Sequence, residues 1–384
     1  MATTVITGVQ YSGIWSLAGQ ANAKALGTWP SQPAPHLLIW GYNAYGQLGI
    51  GNTTNFSSPK QVGSLTTWSK NSAGSDFTLA IKTDGTFWSW GQNGVGALGL
   101  GNTTNYSSPK QVGALTNWSK VSGGGAFSTS IKTDGTLWTW GNNVDGALGL
   151  GNDIYYSSPK QVGSGTTWFD ISAGVSFSLA IKTDGTLWTW GRNNQGQLGL
   201  GNRTSYSSPK QVGSLTNWSK IAGGQEFTAA IKTDGTLWTW GRGNRGQLGL
   251  GGTASYSSPK QVGSLTTWSN VECAYENTYA IKTDGTLWAW GNNDFGQLGD
   301  GTITQRNSPV QIGALTTWLS TSAGGYHCIA TTTSGALWSW GYNAYGQLGL
   351  GSTTNYSSPK QVGSLTSWTA IASAQNSSIG IANT

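Results

Sequence analysis

Two histidines, His36 and His327, and two cysteines, Cys273 and Cys328, are all that the 384 residues offer of the types most used in nucleophilic and metal chemistry. A nucleophile–base set or a metal centre needs such residues in company and at fixed spacing. No Ser-His-Asp or Cys-His set can be assembled here. Cys328 adjoins His327, but alternation along a strand sends neighbouring side chains to opposite faces, so both read as core residues. The cysteines fall at positions 23 and 28 of a 50-residue period. Either one bridge between neighbouring units or two free core thiols fits them. Glu226 and Glu276 share one position in adjacent copies, with Glu272 nearby. They are compatible with a carboxylate pair or a cation site and read more simply as a solvated rim. Two segments match Gly-x-Gly-x-x-Gly, at Gly94, Gly96, Gly99 and at Gly241, Gly243, Gly246. A dinucleotide site would need a following helix, and the chain shows none. These are turn glycines, and neither a cofactor nor a metal is expected.

Binding chemistry is better represented. Arg192, Arg203, Arg242 and Arg245 lie in variable segments of two consecutive copies, with Asp145 and Asp153 one copy earlier. Tyr42, Tyr45, Tyr342 and Tyr345 occupy matching positions in two others. Arginine with aromatic side chains is the composition of a protein or glycan interface, so these eight residues are the candidate binding set.

Those segments must be held by a repeated scaffold. Trp40, Trp90, Trp140, Trp190, Trp240, Trp290 and Trp340 are each followed by Gly and recur every 50 residues without an insertion. Charged residues make up 9% of the chain, against about 25% for an average soluble domain, while Gly reaches 59 and Trp 22. That balance suits a turn-dense β protein with an indole-rich core. Residues 185–234 represent one copy, and four short strands are expected in each. WSKIAGG ends in small residues that tolerate crowding at an axis. FTAAIKT alternates, with Phe227, Ala229 and Ile231 on one face. TLWTW returns after Asp-Gly, the signal of a type I′ hairpin. KQVGSL follows Pro and is expected to start an edge strand.

The last copy stops at Thr384 without its TLWTW segment, and HLLIWG at 36–41 supplies the missing piece. The expected fold is therefore all-β, a seven-bladed β-propeller of 50-residue repeats over residues 35–384. An N-terminal strand joining the C-terminal blade would close the ring and remove free sheet edges. Copies differ at the residues after Trp-Gly, after Gly-Leu-Gly-Asn and after Ser-Ala-Gly, which should be surface loops.

The pattern WGxNxxGQLGxG…SPxQV…AG…AIxTDGxLWxWG, clearest in WGNNDFGQLGDGTITQRNSPVQIGAL at 290–315, resembles the regulator of chromosome condensation repeat. The resemblance covers residues 35–384 and implies a seven-bladed propeller. Its members include a nucleotide exchange factor for a small GTPase and a β-lactamase inhibitor, and topology alone transfers neither role. The family's Cys-Gly-x-x-His is kept only as His327 and, for its cysteine, Cys273. Phe77, Phe127, Phe177, Phe227, Asn277 and Ser377 stand at the other imidazole positions.

Residues 1–34 lie outside the repeat and read as a β-like start, a short helix-like run and a Pro-rich linker, with no secretory signal and no membrane span. Trp15, Leu17 and Trp29 are costly to leave exposed and are the candidate particle anchor. The segments GIW and GTWP are similar to the start of repeat-bearing surface proteins of marine bacteriophages. The resulting expectation is a non-enzymatic virion protein. Residues 1–34 would join other virion proteins, and the propeller loops would meet a host surface protein or glycan. The alternative is an intracellular protein-binding regulator of the exchange-factor or inhibitor type. Net charge is +6, but lysines spaced one per copy form a solvated rim rather than a nucleic-acid surface.

Overall fold

The computed structural model of the chain describes residues 34–384. They form seven four-stranded antiparallel sheets. Blades 1 to 6 span 68–111, 118–161, 168–211, 218–261, 268–311 and 318–361. Blade 7 combines Pro35–Gly41 and Phe56–Gln61 with Trp368–Ser373 and Ser377–Asn383. The seam pairs Pro35 with Asn383 through to Gly41 with Ser377, without a shift. The expected closure is found, with each end of the repeat region giving two strands.

In blade 4 the innermost strand is Trp218–Gly223, the second Phe227–Lys232, the third Leu237–Gly241 and the outermost Tyr256–Gln261. The core lies between blades. Ile181, Leu187 and Val212 of blade 3 pack on Trp218, Ala230 and Trp240 of blade 4. Phe227, Ala229 and Ile231 face the other way, toward Trp268 and Trp290 of blade 5. The period of two thus puts both faces of the second strand in a core, as expected for a layer covered on both sides. Trp240 is fully buried, meets Trp218 edge-on at 6.0 Å, and donates its indole N–H to the Gln197 carbonyl of blade 3 at 2.9 Å. The Lys232 ammonium sits 3.8 Å from the centre of the Trp238 ring, a cation–π contact that lets a lysine stem be buried.

Two local expectations are corrected. The outermost strand is Tyr-Ser-Ser-Pro-Lys-Gln in five blades, with Phe56–Gln61 and Arg306–Gln311 at the same place in the other two, and not KQVGSL. In blade 3, Tyr206 pairs with Gly191 before the proline and Lys210 with Thr189 after it, with the register slipping between them. A prolyl residue that cannot donate is tolerated at such an irregularity on an edge. The Asp-Gly hairpin is not type I′ either. Among non-glycine described residues only Asp145 has positive φ, so Asp84 keeps an ordinary backbone and only Gly85, at φ 77°, is left-handed. A type I turn followed by a left-handed glycine is the alternative route round a hairpin. It is preferred because Asp84 Oδ1 accepts both the amide and hydroxyl of Thr86, at 2.9 and 2.7 Å.

Candidate functional site

Antiparallel strands alternate direction, so the connections of a blade divide between two faces. The hairpins after the second strands and the linkers to the next blade share one face. The short turns after the innermost strands and the long loops before the outermost strands share the other. All three segments at which the copies differ lie on this long-loop face. In every blade the residue after Trp-Gly donates its amide to the short turn: Tyr42 to Asn376, Arg192 to Ser176, Arg242 to Glu226, Tyr342 to Tyr326, with all seven bonds at 2.9 to 3.0 Å. Two variable positions are thereby fixed side by side in each blade. The constant residues of the loop do the bracing. Buried Asn43 accepts the Leu48 amide at 2.8 Å and donates to the carbonyls of Asn52 and Thr54.

The tyrosines meet across the joint between blades 6 and 7. Tyr42 of blade 7 and Tyr345 of blade 6 have ring centres 4.8 Å apart, with Tyr45 and Tyr342 at 6.5 and 6.3 Å on either side. The row continues to residues that the sequence reading missed. Phe295 lies 4.8 Å from Tyr342, Tyr326 lies 5.4 Å from Phe295, and Tyr275 lies 6.0 Å from Tyr326. Phe295 stands at the repeat position of Tyr45 and Tyr345, a signal that was available. Tyr326 and Tyr275 sit in short turns whose proximity to that row depends on how the blades lean.

The arginines do not form one patch. Arg242 binds Glu226 at 3.0 Å and reaches Glu276 at 3.9 Å, while Arg245 lies 3.8 Å from Glu276. Asn292 also donates to Glu276 at 2.9 Å. The two glutamates are thus neither a free cation site nor a solvated rim, because the loop of their own face supplies the cations. This network adjoins the aromatic row: burial, with the nearby Glu276 charge, raises the Tyr326 phenol above its usual range. Arg192 is separate, 3.9 Å from Asp145. Arg203 is exposed, with no ion pair among the described residues. Trp15, Leu17 and Trp29 lie outside the described residues.

On the axis, the ends of the innermost strands and the short turns enclose a channel of about 150 Å³. Its wall is mostly Ser, Gly and Ala. Neighbouring blades are tied there by two kinds of bond. Ser72, Ser122 and Ser172 hydroxyls accept the amides of Gly123, Ala173 and Gly223 at 3.0 to 3.1 Å. Amides of the turns donate to the next turn, as Ser75 does to Gly125 and Gln375 to Ser75. Glu272 replaces the serine in blade 5 and lines the channel. Enclosure by the ring pushes its carboxyl up to about 8 even though the side chain keeps some access to channel solvent.

The remaining chemistry-bearing residues are structural. Cys273 and Cys328 are buried and unbridged, which decides between the two alternatives. No trio of metal-ligating side chains occurs among the described residues. His327 is fully buried. Its Nε2 lies 2.8 Å from Ser378 Oγ, and that hydroxyl donates to the Gln347 carbonyl, so the imidazole donates from Nε2 and leaves Nδ1 unpartnered. Burial lowers its pKa from 6.5 to about 3. Because the folded pKa is depressed, folding is unaffected by this group above pH 6.5 and is penalised as pH falls from there toward 3. At pH 4 the penalty is on the order of 3 kcal/mol. His327→Phe, which restores the residue of four other blades, is expected to remove that share of the acid sensitivity in denaturant melts between pH 7 and 4. Parallel stability–pH curves for the two proteins would refute it.

Comparison with known proteins adds the following. The model of the regulator of chromosome condensation (RCC1) repeat matches residues 36–81, 84–131, 134–181, 184–231, 234–281, 284–331 and 334–381. No curated protein sequence matches the chain. Among solved structures, human WBSCR16 is 21% identical with a TM-score of 0.82, over 91% of this chain and 99% of that one. Prp20p from Saccharomyces cerevisiae is 20% identical with a TM-score of 0.81, over 92% of each chain. Yeast RCC1 (Prp20) in its complex with Kap60 is 19% identical with a TM-score of 0.81, over 100% of this chain and 96% of that one. At such identities the likeness is one of fold.

Proposed function

Since the chain belongs to the regulator of chromosome condensation (RCC1) repeat family, we propose that it is a non-enzymatic, protein-binding propeller that seats its partner on the long-loop face. The observation that carries this reading is the division of variation between the faces. Hairpins and linkers keep nearly one sequence, whereas the strongly varied segments open on the other face, braced in six blades by an asparagine that blade 4 replaces with Gly243. Variable side chains on a rigid frame are how loops acquire specificity. The row from Tyr45 to Tyr275 supplies aromatic anchors, and Arg242 and Arg245 flank it with charge. The Prp20p structure is described with its binding to Gsp1p and histones, and another records Kap60 bound to yeast RCC1. Both support protein recognition as the role here. A protein-binding regulator is accordingly favoured over a bacteriophage virion protein, a reading that rests on residues 1–34. No helix among the described residues is long and apolar enough to cross a membrane.

A photo-crosslinking side chain placed at Tyr342 is expected to capture the partner, and one placed at Leu215 or Leu365 on the hairpin face is not. Tyr342→Ala should weaken binding by about 2 kcal/mol, near thirtyfold, as for a buried aromatic anchor. Leu215→Asp should leave it unchanged. Capture from Leu215 and Leu365 with none from Tyr342 would move the interface to the opposite face.

A further inference from the structure

Blade 5 departs from its neighbours at the axis in three independent ways. First, the bonds that tie blades together there stop on both sides of it. Turn-to-turn amide bonds run from Ser75 to Gly125, Gly125 to Val175, Val175 to Gly224, Gly325 to Gln375 and Gln375 to Ser75. Among the described residues none joins blade 4 to 5 or blade 5 to 6. The serine bridges, found at the first three joints, are missing at these two as well, where Ala222 and Glu272 stand, although the blade 7 to 1 joint, with Ala372, also lacks one. Second, Glu272 is the one carboxylate on the channel wall, and no lysine, arginine or histidine lines it. Of the acids outside the channel, Glu226 and Glu276 are paired with arginines, Asp170 with Lys120 at 2.8 Å, and Asp76 accepts the Gln47 amide at 3.3 Å. The Glu272 carboxylate has no hydrogen bond or ion pair among the described residues. Third, Tyr275 lines the channel and spans its mouth, with its hydroxyl 3.4 Å from Ser75 on blade 1 across the channel.

We infer that the axial channel is a binding site for a primary ammonium on a linear alkyl chain, held by Glu272 at blade 5 and entered past Tyr275. A buried carboxylate without a partner is costly, and a cation beside it recovers that cost. The ammonium donates three hydrogen bonds: the carboxylate takes one, and wall hydroxyls such as Ser322 and turn carbonyls are placed for others. Ala73, Ala274, Ala323 and Ala374 give the alkyl stem an apolar sheath, and the Tyr275 ring offers cation–π attraction at the lip. A divalent metal fits worse, since it asks for six or more oxygen ligands and several carboxylates. The blade's missing inter-blade bonds leave wall carbonyls and amides open to a guest.

The same chemistry could arrive as a free diamine or as the lysine side chain of another protein, and titration calorimetry on the full chain separates them. The probes are cadaverine and Nα-acetyl-lysine N-methylamide. Binding of at least one is expected at pH 9, weakening by about tenfold per pH unit below 8 as Glu272 takes up a proton, since the amines stay charged throughout. The other titratable groups around Glu272 and its entrance are the Asp76 carboxyl, raised by burial and acting on Tyr275 but left unchanged in the Glu272 variants, the Cys273 and Cys328 thiols, and the Tyr275 and Tyr279 phenols. Burial holds the two thiols and two phenols above their usual values, so they stay neutral over this range. Cadaverine alone binding would identify a free diamine as the guest, and the lysine derivative binding would identify a protein side chain. Glu272→Ser, the residue that bridges three other joints, should keep the melting temperature and lose binding at least tenfold. Glu272→Gln should do the same without restoring a bridge. If wild type binds neither probe, or if both variants bind with the same affinity and pH profile, the assignment is wrong.

Discussion

A chain ending at Asn376 is expected to lose cooperative unfolding and to elute as aggregates, whereas a chain lacking residues 1–34 keeps a single melting transition. The first truncation removes Ser377–Asn383, the strand that pairs with Trp368–Ser373 on one side and Pro35–Gly41 on the other. Two strand edges are then exposed in the interior of blade 7, and the blade falls into one hairpin, Pro35–Gly41 with Phe56–Gln61, and a lone strand, Trp368–Ser373. Unpaired edges flanked by apolar faces are templates for association. The core loses Ile379, Ile381 and Ala382, all buried, and with them the support of Trp40 and Trp68. The other blades each pack on two neighbours, so an open ring leaves blades 1 and 6 with one bare face apiece. The check is size-exclusion chromatography with a circular-dichroism melt of both truncations. A monomeric, sharply melting product of the first would refute the view that blade 7 closes the ring.

Trp240→Ala is expected to cost about 3 to 5 kcal/mol, and the loss is not simply one of indole area. Two tryptophans face each other at the joint between blades 3 and 4, and their polar atoms are treated oppositely. Trp240 Nε1 donates across the joint to Gln197 O at 2.9 Å, a bond worth about 1 kcal/mol. Trp218 Nε1 is buried with no partner, and so are its six counterparts Trp68, Trp118, Trp168, Trp268, Trp318 and Trp368. Burying such a donor costs about 1 to 3 kcal/mol. Replacement by phenylalanine separates packing from polarity. Trp240→Phe loses ring volume and a bond, and Trp218→Phe loses ring volume and a penalty. The second variant should therefore be the more stable by about 2 kcal/mol in urea unfolding. Equal destabilisation would mean that a water or a relaxed geometry already satisfies Trp218. A related effect follows at Gly199, with φ at 72° and Trp240 Nε1 standing 2.6 Å from where a Cβ would be: only glycine lets the loop of one blade lie on the indole of the next.

The blade count, the phase of the strands and the seam were legible because tryptophan spacing and Thr384 fix them without reference to geometry. The outermost strand was misplaced because a rule about proline was applied at the strand's start. An irregular pairing lets Pro209 sit inside it. Asp-Gly indicated a hairpin correctly but not its turn type, since the side-chain bonds from Asp84 to Thr86 outweigh the preference of the dipeptide. Of the eight candidate binding residues, Tyr42, Tyr45, Tyr342 and Tyr345 come together. Arg242 and Arg245 are committed to Glu226 and Glu276, and Arg192 and Arg203 stand apart. A repeat alignment tells which positions are equivalent, but not which blades touch at the rim. For that reason Tyr326 and Tyr275 escaped it, whereas Phe295 shares the repeat position of Tyr45 and Tyr345 and lay within its reach. In the sequence Glu272 is one of three neighbouring acids that read as a solvated rim. Its isolation became visible only when the serine bridges of the other joints could be counted.

The two-plus-two composition of blade 7 also sets a schedule for synthesis. The segment Pro35–Gln61 leaves the ribosome roughly three hundred residues before Trp368, an interval of about 15 to 60 s at ordinary elongation rates. During that time a hairpin with the buried-to-be Leu37, Ile39 and Trp40 waits without its mates, while six complete blades assemble behind it. Whatever shelters that hairpin on the nascent chain governs the yield of native rings.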